Sequence, residues 1–316
     1  MKALREDRFE KALKGFPSSA RSLLRDLPRQ GGMLAPETCR ELMRLLGVSV
    51  EALMIGLLPL AKVFSAAPIS NFHVGAVALA SKQSADTRMS LCLGANMEFS
   101  NLALNTTLHA EQAAVMNAWH RDTGRLRAIA VSDTPCGHCR QFLGEVGHPD
   151  DLMILTPTGK GPASRGRRLA ELLPAAFTPA DLGIDGGFMA PSSAPGHLSL
   201  ERESDDETVL AALSAAEASH APYTGNLAGC AIRTADEGVV SGRYVESAAY
   251  NPSVSPFHAA VLRLNLMTLK QTHAIQRVVL VEKPTRIRQK DLVKMLIKTR
   301  APGIELEYHI AREGGG

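Results

Sequence analysis

The chain has 316 residues, of which 45% are hydrophobic and 21% charged, with a formal net charge of +3. These values are typical of a globular protein with two or more domains, and they argue against a disordered chain and against nucleic acid as the main partner. Five scattered cysteines do not form a disulfide framework, so we expect a protein of the cytoplasm, a reducing compartment.

The first elements along the chain are predicted to be helical. Residues 1–49 are expected to form short helices, the last of which follows Pro36 and ends at Gly47. The apolar run 52–64 predicts a further helix, and because this run is too short to span a bilayer we expect no membrane anchor.

Strands and helices then alternate. The runs 73–80 and 89–95 indicate a hairpin, which is followed by a helix over 108–119 and a strand over 126–132. We further expect a helix from Pro135, a strand over 151–157 and a helix over 167–177. Such an order predicts an α/β fold in which helices cover a sheet.

The chain then divides. Residues 186–206 are rich in Gly, Pro, Ser and acidic residues, which is typical of a linker. The predicted organisation is an N-terminal helical segment (1–49), a first domain (50–185), the linker (186–206) and a second domain (207–316).

The second half of the chain resembles the first. The matching pairs are Pro68 with Pro222, Gly75 with Gly229, Glu98 with Glu246 and Pro135 with Pro284. The offset is 154 for the first two pairs and falls to 148 and 149 for the last two, as a shorter hairpin loop in the second half would produce. We interpret this pattern as an internal duplication of one fold.

Four residues of the first half carry metal and proton chemistry. His109 and Glu111 form a His-x-Glu motif, and Cys136 and Cys139 follow in a Pro-Cys-x-x-Cys motif. Each motif alone is weak, but in this order they form the signature of zinc deaminases that act on nucleobases. One nitrogen and two sulfurs leave a fourth zinc position open, which predicts a catalytic site with one Zn²⁺ per chain.

The chemistry expected of this site is hydrolytic. Zinc lowers the pKa of a bound water to about 7, and the resulting hydroxide would attack C4 of a cytosine ring. Glu111 would move the protons. Cys136 and Cys139 are expected in the first turn of the helix from Pro135, where the helix N-terminus lowers thiol pKa values, and residues 105–107 are expected to cap the helix of His109.

The second copy lacks these four residues. The corresponding positions hold Phe257, Ala259, Thr285 and Arg288, so this copy is expected to be non-catalytic. His258 is one position out of register and is expected to be an ordinary core or surface histidine. An alternative for the first copy is a closed structural zinc site with His138 as fourth ligand, but this would leave Glu111 without a role.

Longer segments carry a family resemblance. PISNFHVGA, LGANMEF, LHAEQAAVMNAW and TPCGHCRQFLGE resemble the long, homodimeric cytidine deaminases of nucleoside salvage, from about residue 50 to the end of the chain. The resemblance implies a duplicated three-layer α/β/α cytidine deaminase-like fold and a homodimer. It also implies hydrolysis of cytidine and 2′-deoxycytidine to uridine and 2′-deoxyuridine, with release of ammonia.

The same resemblance implies how the substrate is held. It implies ribose contacts from Asn96 and Glu98 with Met97 between them, stacking of Phe72 on the pyrimidine, an Ala110 N–H to the C2 carbonyl, a Thr134 carbonyl near the reacting amino group, and a Phe177 that reaches a neighbouring subunit's site. Two positions depart from the family pattern, namely His73 in place of Asn and Asp133 in place of an aromatic residue. The alternatives that stay open are a deaminase of another cytosine substrate, such as a modified nucleoside or RNA, and a non-catalytic zinc-binding protein.

Overall fold

The computed structural model describes residues 2–82, 88–159, 161, 163–190, 197–270 and 273–314. The chain divides into two compact units, of which the first contains residues 1–98, 107–191 and 265–271 and the second contains residues 99–106, 192–264 and 272–316. Part of the predicted linker, residues 191–196, lies outside the described residues. Within the remainder of that segment, Leu198–Leu200 forms a strand.

The first unit begins with the predicted helices. These are α1 (Lys2–Leu13), α2 (Ser18–Leu24) and α3 (Pro36–Leu46), followed by α4 (Val50–Val63). Gly47 ends α3 as predicted, in the left-handed conformation with φ of 64°. Within the described ranges no single helix is long and apolar enough to cross a membrane, and only α3 and α4, bent by 100°, meet that test as a pair.

A six-stranded sheet forms the centre of the first unit. Its strands are β1 (Met33–Leu34), β2 (Gly75–Ser81), β3 (Met89–Ala95), β4 (Arg125–Val131), β5 (Met153–Pro157) and β6 (Ser164–Arg168), in the order β1-β3-β2-β4-β5-β6. The predicted hairpin is confirmed by the antiparallel pairing of β2 with β3, and β4 pairs in parallel with β5. The remaining helices are α5 (Ala110–His120), α6 (Gly137–Leu143) and α7 (Leu169–Leu172).

Two glycines show that helices cover both faces of this sheet. A Cβ on Gly75 would meet backbone atoms of α4, and a Cβ on Gly94 would meet backbone atoms of α5. Gly94 pairs with Ala76, the neighbour of Gly75. Because paired residues share a face and successive residues alternate, Gly75 and Gly94 point to opposite faces. Helices α4 and α5 therefore lie on opposite sides of the sheet, which confirms the α/β fold.

The second unit repeats this arrangement. Its strands are β7 (Leu198–Leu200), β8 (Ala228–Thr234), β9 (Gly238–Arg243), β10 (Ile275–Glu282) and β11 (Leu306–Glu313), in the order β7-β11-β10-β8-β9, and its helices are α8 (Glu207–Glu217), α9 (Pro256–Met267) and α10 (Lys290–Arg300). Here Gly229 faces α8 and Gly242 faces α9. The pair Gly75–Ala95 encloses six more residues than the pair Gly229–Arg243, so the hairpin loop does account for the change in offset.

Three local predictions were wrong. The helix predicted over 167–177 is instead the end of β6 followed by the single turn α7, because Leu173 precedes a proline and adopts a non-helical conformation, with φ of −137° and ψ of 73°, that ends the helix. The helix predicted from Pro135 begins at Gly137, with Cys136 as its extended N-cap residue. Residues 104–106 form a separate 3-10 turn, so His109 and not the 105–107 segment is the N-cap residue of α5.

Candidate active site

The predicted site residues converge at one edge of the first sheet. Strands β3 and β4 end at this edge where β2 begins, since Gly75 pairs with Ala95 and Ala76 with Val131. The segments 72–74, 96–98 and 132–139 therefore leave the sheet side by side. An antiparallel bridge between Met97 and Leu108 brings the start of α5 to the same edge.

His109, Cys136 and Cys139 form a metal-binding group. The Cys136 Sγ lies 3.5 Å from the His109 Nδ1 and 3.7 Å from the Cys139 Sγ. Zinc bonds of about 2.3 Å to sulfur and about 2.1 Å to nitrogen, at tetrahedral angles, would separate two sulfurs by about 3.8 Å and a sulfur from a nitrogen by about 3.6 Å. Both distances from the Cys136 Sγ therefore match those in a zinc tetrahedron, and all three donor atoms lie within 4.8 Å of one another.

Electrostatics favour a thiolate at Cys136. Its pKa is lowered to about 3, first by the hydrogen bond with Cys139 and next by that with His109. The pKa of Cys139 is raised, first by its hydrogen bond with Cys136 and then by burial. The bond to Cys136 also raises the pKa of His109. Hydrogen bonds link these three groups, and a zinc ion bound between them would replace the shared protons.

Glu111 lies beside this group without belonging to it. It is the second residue of α5 and is 4% exposed, and burial raises the pKa of its carboxyl. A carboxyl with a raised pKa holds a proton more readily than an ordinary one, which suits a group that accepts a proton and returns it. Its hydrogen bond with the Cys139 thiol contributes to the pKa shifts of both groups, which places the carboxylate next to the metal ligands.

His138 does not complete a closed zinc site. Throughout the described ranges, the only group of three or more close His, Cys, Asp or Glu donor atoms comprises His109, Cys136 and Cys139. The His138 ring instead packs against His109, with 5.1 Å between ring centroids. Three protein ligands with a free fourth position define a catalytic zinc site.

The second unit holds no such group among its described residues. Phe257 and Ala259 are buried at the start of α9. His258 is 8% exposed, and its Nδ1 lies 2.9 Å from the Ser255 Oγ. It is therefore a core histidine, as predicted.

The residues expected to bind substrate occupy several environments. Asn96, Met97, Glu98 and Ala110 are buried, whereas Phe72 is 57% exposed. Thr134 is exposed in the segment that leads to Cys136. Phe177 is also exposed, and its carbonyl accepts a hydrogen bond of 2.6 Å from the Gln141 Nε2 of α6.

The Glu98 carboxylate closes the loop that carries Phe72. One carboxylate oxygen accepts from the Ile69 N–H at 2.7 Å and from the Ser70 N–H at 3.1 Å, and the other accepts from the Ser70 hydroxyl. The Ser70 Oγ in turn accepts from the Phe72 N–H at 3.0 Å. Glu98 therefore determines the path of the backbone at Phe72.

Several supporting residues were missed from the sequence. The Gln112 side chain accepts from the His109 N–H at 3.1 Å, and the Arg140 Nε donates to the Pro135 carbonyl at 2.9 Å. Gln112 could have been found, because Gln three residues after an N-cap is a known capping pattern. Arg140 and Ser70 gave no comparable signal, since their partners are remote in sequence or lie on an irregular loop.

Comparison with known proteins agrees with this site. Two family profiles, both described as the cytidine and deoxycytidylate deaminase zinc-binding region, match the chain, one at residues 50–155 and the other at residues 169–294. The chain is 37% identical over 306 residues to a cytidine deaminase of Aliivibrio fischeri, covering 96% of this chain and 98% of the relative. It is 40% identical over 283 residues to a cytidine deaminase of Serratia proteamaculans, covering 89% and 91%.

A solved cytidine deaminase from Mycobacterium tuberculosis is 36% identical, covering 40% of this chain and 94% of that chain, with a TM-score of 0.32. The fold and the three-ligand site define the class, a duplicated α/β protein with one zinc centre of catalytic type. The matches to the full-length relatives and to both copies show that the chain belongs to the cytidine and deoxycytidylate deaminase family.

Proposed function

We propose that this protein is a hydrolase that deaminates cytidine and 2′-deoxycytidine to uridine and 2′-deoxyuridine, releasing ammonia. The observation that carries this proposal is the spacing of His109, Cys136 and Cys139, at 3.5 and 3.7 Å, with the buried Glu111 beside them. The relatives that match nearly the whole chain are cytidine deaminases, which supports the same reaction.

His109, Cys136 and Cys139 would hold the zinc. The metal supplies Lewis acidity that makes a water molecule a competent nucleophile near neutral pH. Glu111 takes a proton from the attacking water, delivers it to ring N3 as C4 is attacked, and then assists the departure of ammonia. Its burial supports this role, because a carboxyl with a raised pKa can hold a proton between the two steps.

Asn96 and Glu98 would bind the ribose. The Asn96 Nδ2 donates one proton to the Phe72 carbonyl at 2.8 Å, which leaves its second proton for a ribose oxygen. Glu98 holds the loop of Phe72 through Ile69 and Ser70, and its carboxylate can also accept from a ribose hydroxyl. A carboxylate at this place would repel a 5′-phosphate, which favours a nucleoside over a nucleotide.

The pyrimidine would be held by groups around the metal ligands. The exposed Phe72 ring stacks on the base, the Ala110 N–H donates to the C2 carbonyl, and the Thr134 carbonyl accepts from the reacting amino group. Met97 supports the loop between Asn96 and Glu98 by its bridges to Ala66 and Leu108. We also propose a cytoplasmic homodimer in which the exposed Phe177 reaches the partner's site, and a catalytic domain over 50–185 followed by a non-catalytic one over 207–316.

A substrate panel with zinc quantified in the same preparation tests the function. Cytidine, deoxycytidine, their 5′-monophosphates and a cytosine-containing oligonucleotide are assayed by ammonia release. We expect turnover of the two nucleosides with one zinc per chain. Preference for a phosphorylated or polymeric substrate would contradict the nucleoside assignment, and a zinc-loaded protein that releases no ammonia from cytidine would be a binding protein.

Cysteine variants provide a matched control for this panel. Cys136→Ala removes a zinc donor, whereas Cys92→Ala removes a buried thiol within strand β3. We expect loss of both zinc and activity only in the first variant. Equal zinc content in the two variants would show that the metal is bound elsewhere.

A further inference from the structure

A chain of three hydrogen-bonded side chains leads to Asn96. The His73 Nδ1 lies 2.9 Å from the Ser65 Oγ, and the Ser65 hydroxyl lies 2.6 Å from the Asn96 Oδ1. Ser65 and Asn96 are 5% and 7% exposed, so water does not compete freely for these bonds. Ser65 follows helix α4, His73 precedes strand β2, and Asn96 follows strand β3. These hydrogen bonds thus join three segments at the edge of the sheet where the candidate site lies.

The direction of each hydrogen bond follows from counting protons. The Val74 N–H donates to the Asn96 Oδ1 at 2.9 Å, and the Asn96 Nδ2 donates to the Phe72 carbonyl at 2.8 Å, so the orientation of the amide is determined. The Asn96 Oδ1 can only accept, and therefore Ser65 must donate its single proton to it. The Ser65 Oγ is then left as an acceptor, so the His73 Nδ1 must carry a proton.

His73 is therefore held in one tautomer. Its pKa is lowered, first by burial and then by Arg8 and Lys62, against the opposing effect of Glu98. A neutral imidazole has one N–H, and here that proton is on Nδ1. The ring keeps the Ser65 hydroxyl pointing at Asn96, and the two donors on Oδ1 leave only the second Nδ2 proton of Asn96 free to meet a ligand.

Comparison of the two copies distinguishes the contacts that the fold requires from those found only beside the candidate site. The Glu98 contacts recur in the second copy, where Glu246 accepts from the Tyr223 N–H at 2.9 Å, the Thr224 N–H at 3.1 Å and the Thr224 hydroxyl. Since the second copy lacks the metal ligands, these contacts serve to close the loop and are required by the fold.

The hydrogen-bonded chain does not recur. At the repeat offsets of 154 and 148, His73 corresponds to Leu227 and Asn96 to Tyr244. Ser65 corresponds to Ser219, whose Oγ accepts instead from the Ala228 N–H at 3.2 Å. Ser65, His73 and Asn96 are therefore linked in the copy that holds the site and not in the copy that lacks it.

We propose that Ser65 and His73 are positioning residues for the ribose contact of this enzyme, because the Nδ1–H tautomer of His73 orients the Ser65 hydroxyl and this hydroxyl fixes the Asn96 amide. The proposal rests on the function proposed above. It assigns specificity for the sugar to two residues that need not touch it.

The test compares two substitutions of His73. His73→Leu introduces the residue found in the second copy, whereas His73→Asn keeps an N–H group bonded to Cγ, as the Nδ1 of histidine is. We expect Ser65→Ala and His73→Leu each to raise the KM for cytidine by about threefold to tenfold, as the loss of one hydrogen bond would, with little change in kcat. His73→Asn should restore a KM near that of the unchanged protein. The KM of the double variant, Ser65→Ala with His73→Leu, should be no higher than that of the more impaired single variant, because both substitutions remove the same interaction.

A ligand without the 2′ and 3′ hydroxyls of the ribose separates positioning from a general structural effect. The inhibition constant of 2′,3′-dideoxycytidine, measured in competition with cytidine, should be the same in all four variants. Nitrogen NMR of labelled histidine, with the His73 signal assigned by its absence in His73→Leu, should show the proton on Nδ1. This last measurement does not depend on catalysis.

The outcomes are distinguishable. If the unchanged protein does not deaminate cytidine, the proposed function fails, while the NMR result still tests the tautomer. If cytidine is deaminated but His73→Asn is as impaired as His73→Leu, or dideoxycytidine binding weakens in parallel, or the proton is found on Nε2, the positioning role is wrong.

Discussion

Strand β3 approaches helix α5 closely at Gly94, where catalysis should be sensitive to a single methyl group. Gly94 of β3 lies against α5, and a Cβ added there would lie 2.1 Å from the Ala114 N and 2.6 Å from the Ala110 O. Both are backbone atoms, so no side-chain rotation can relieve the overlap. Gly94→Ala must therefore separate β3 from α5.

The overlap at Gly94 determines how far β3 and α5 must move apart. Ordinary contact for such a carbon begins at 3.4 Å, so the closest pair must separate by about 1.3 Å, the difference between 3.4 and 2.1 Å. His109 is the N-cap residue of α5 and Glu111 is its second residue, so both move with the helix. A misplacement of about 1 Å can cost about 100-fold in rate, and overpacking destabilises by about 1–3 kcal/mol. We expect Gly94→Ala to fold, to bind zinc more weakly and to lose at least about 100-fold in kcat/KM.

The second copy supplies a matched control. A Cβ on Gly242 would lie 2.2 Å from the Ala260 N of α9 and 2.3 Å from the Pro256 O. Gly242→Ala thus introduces a comparable overlap next to a helix that carries no site residue. Both variants are assayed for cytidine deamination, zinc content and thermal unfolding. A Gly94→Ala variant that keeps normal activity and zinc, or an equal loss of activity in Gly242→Ala, would show that the contact of Gly94 with α5 does not position the site.

Three further results are expected. Glu111→Gln should keep its zinc but lose about 100-fold to 10,000-fold in kcat, and near-normal uridine formation in an absorbance assay would exclude the proton-transfer role. Glu98→Gln and Glu246→Gln each replace the oxygen that accepts from the Ser70 or Thr224 hydroxyl by an amide nitrogen, which cannot accept. Each should lower the free energy of unfolding by about 2 kcal/mol, while only Glu98→Gln raises the KM for cytidine; equal KM values would remove Glu98 from the ribose site.

The pKa of His258 is lowered to about 4, first by burial, so the unfolded chain binds more protons than the native protein below pH 6.5. Stability should therefore fall by up to about 3 kcal/mol as the pH drops from about 6.5 to about 4, and this slope should be smaller in His258→Gln; an unchanged slope in urea unfolding would contradict the burial argument.

The metal ligands could be predicted from the sequence because their chemistry is local. The motifs of His109 with Glu111 and of Cys136 with Cys139 have short spacings that place each pair at one helix start. The hairpin and the duplication could also be predicted, because alternation of apolar residues and a repeated glycine pattern are periodic signals.

Other features depended on neighbours that are distant in sequence. Apolar periodicity predicts a helix as far as residue 177, whereas the proline after Leu173 ends this helix at Leu172. The sequence predicts other residues as the N-caps of α5 and α6. In the structure His109 and Cys136 hold these positions, and their extended backbones turn the side chains toward one another.

Residue types at fixed short spacing predict the candidate zinc ligands, Glu111 as the carboxylate that would move protons, and a second copy that lacks both. The folded structure adds the 3.5 and 3.7 Å spacing of the donors, the burial that raises the pKa of Glu111, and the hydrogen bonds that link His73 to Ser65 and Ser65 to Asn96. The physical reason is that hydrogen bonds and desolvation act over a few ångströms, between segments that the sheet brings together from different parts of the chain.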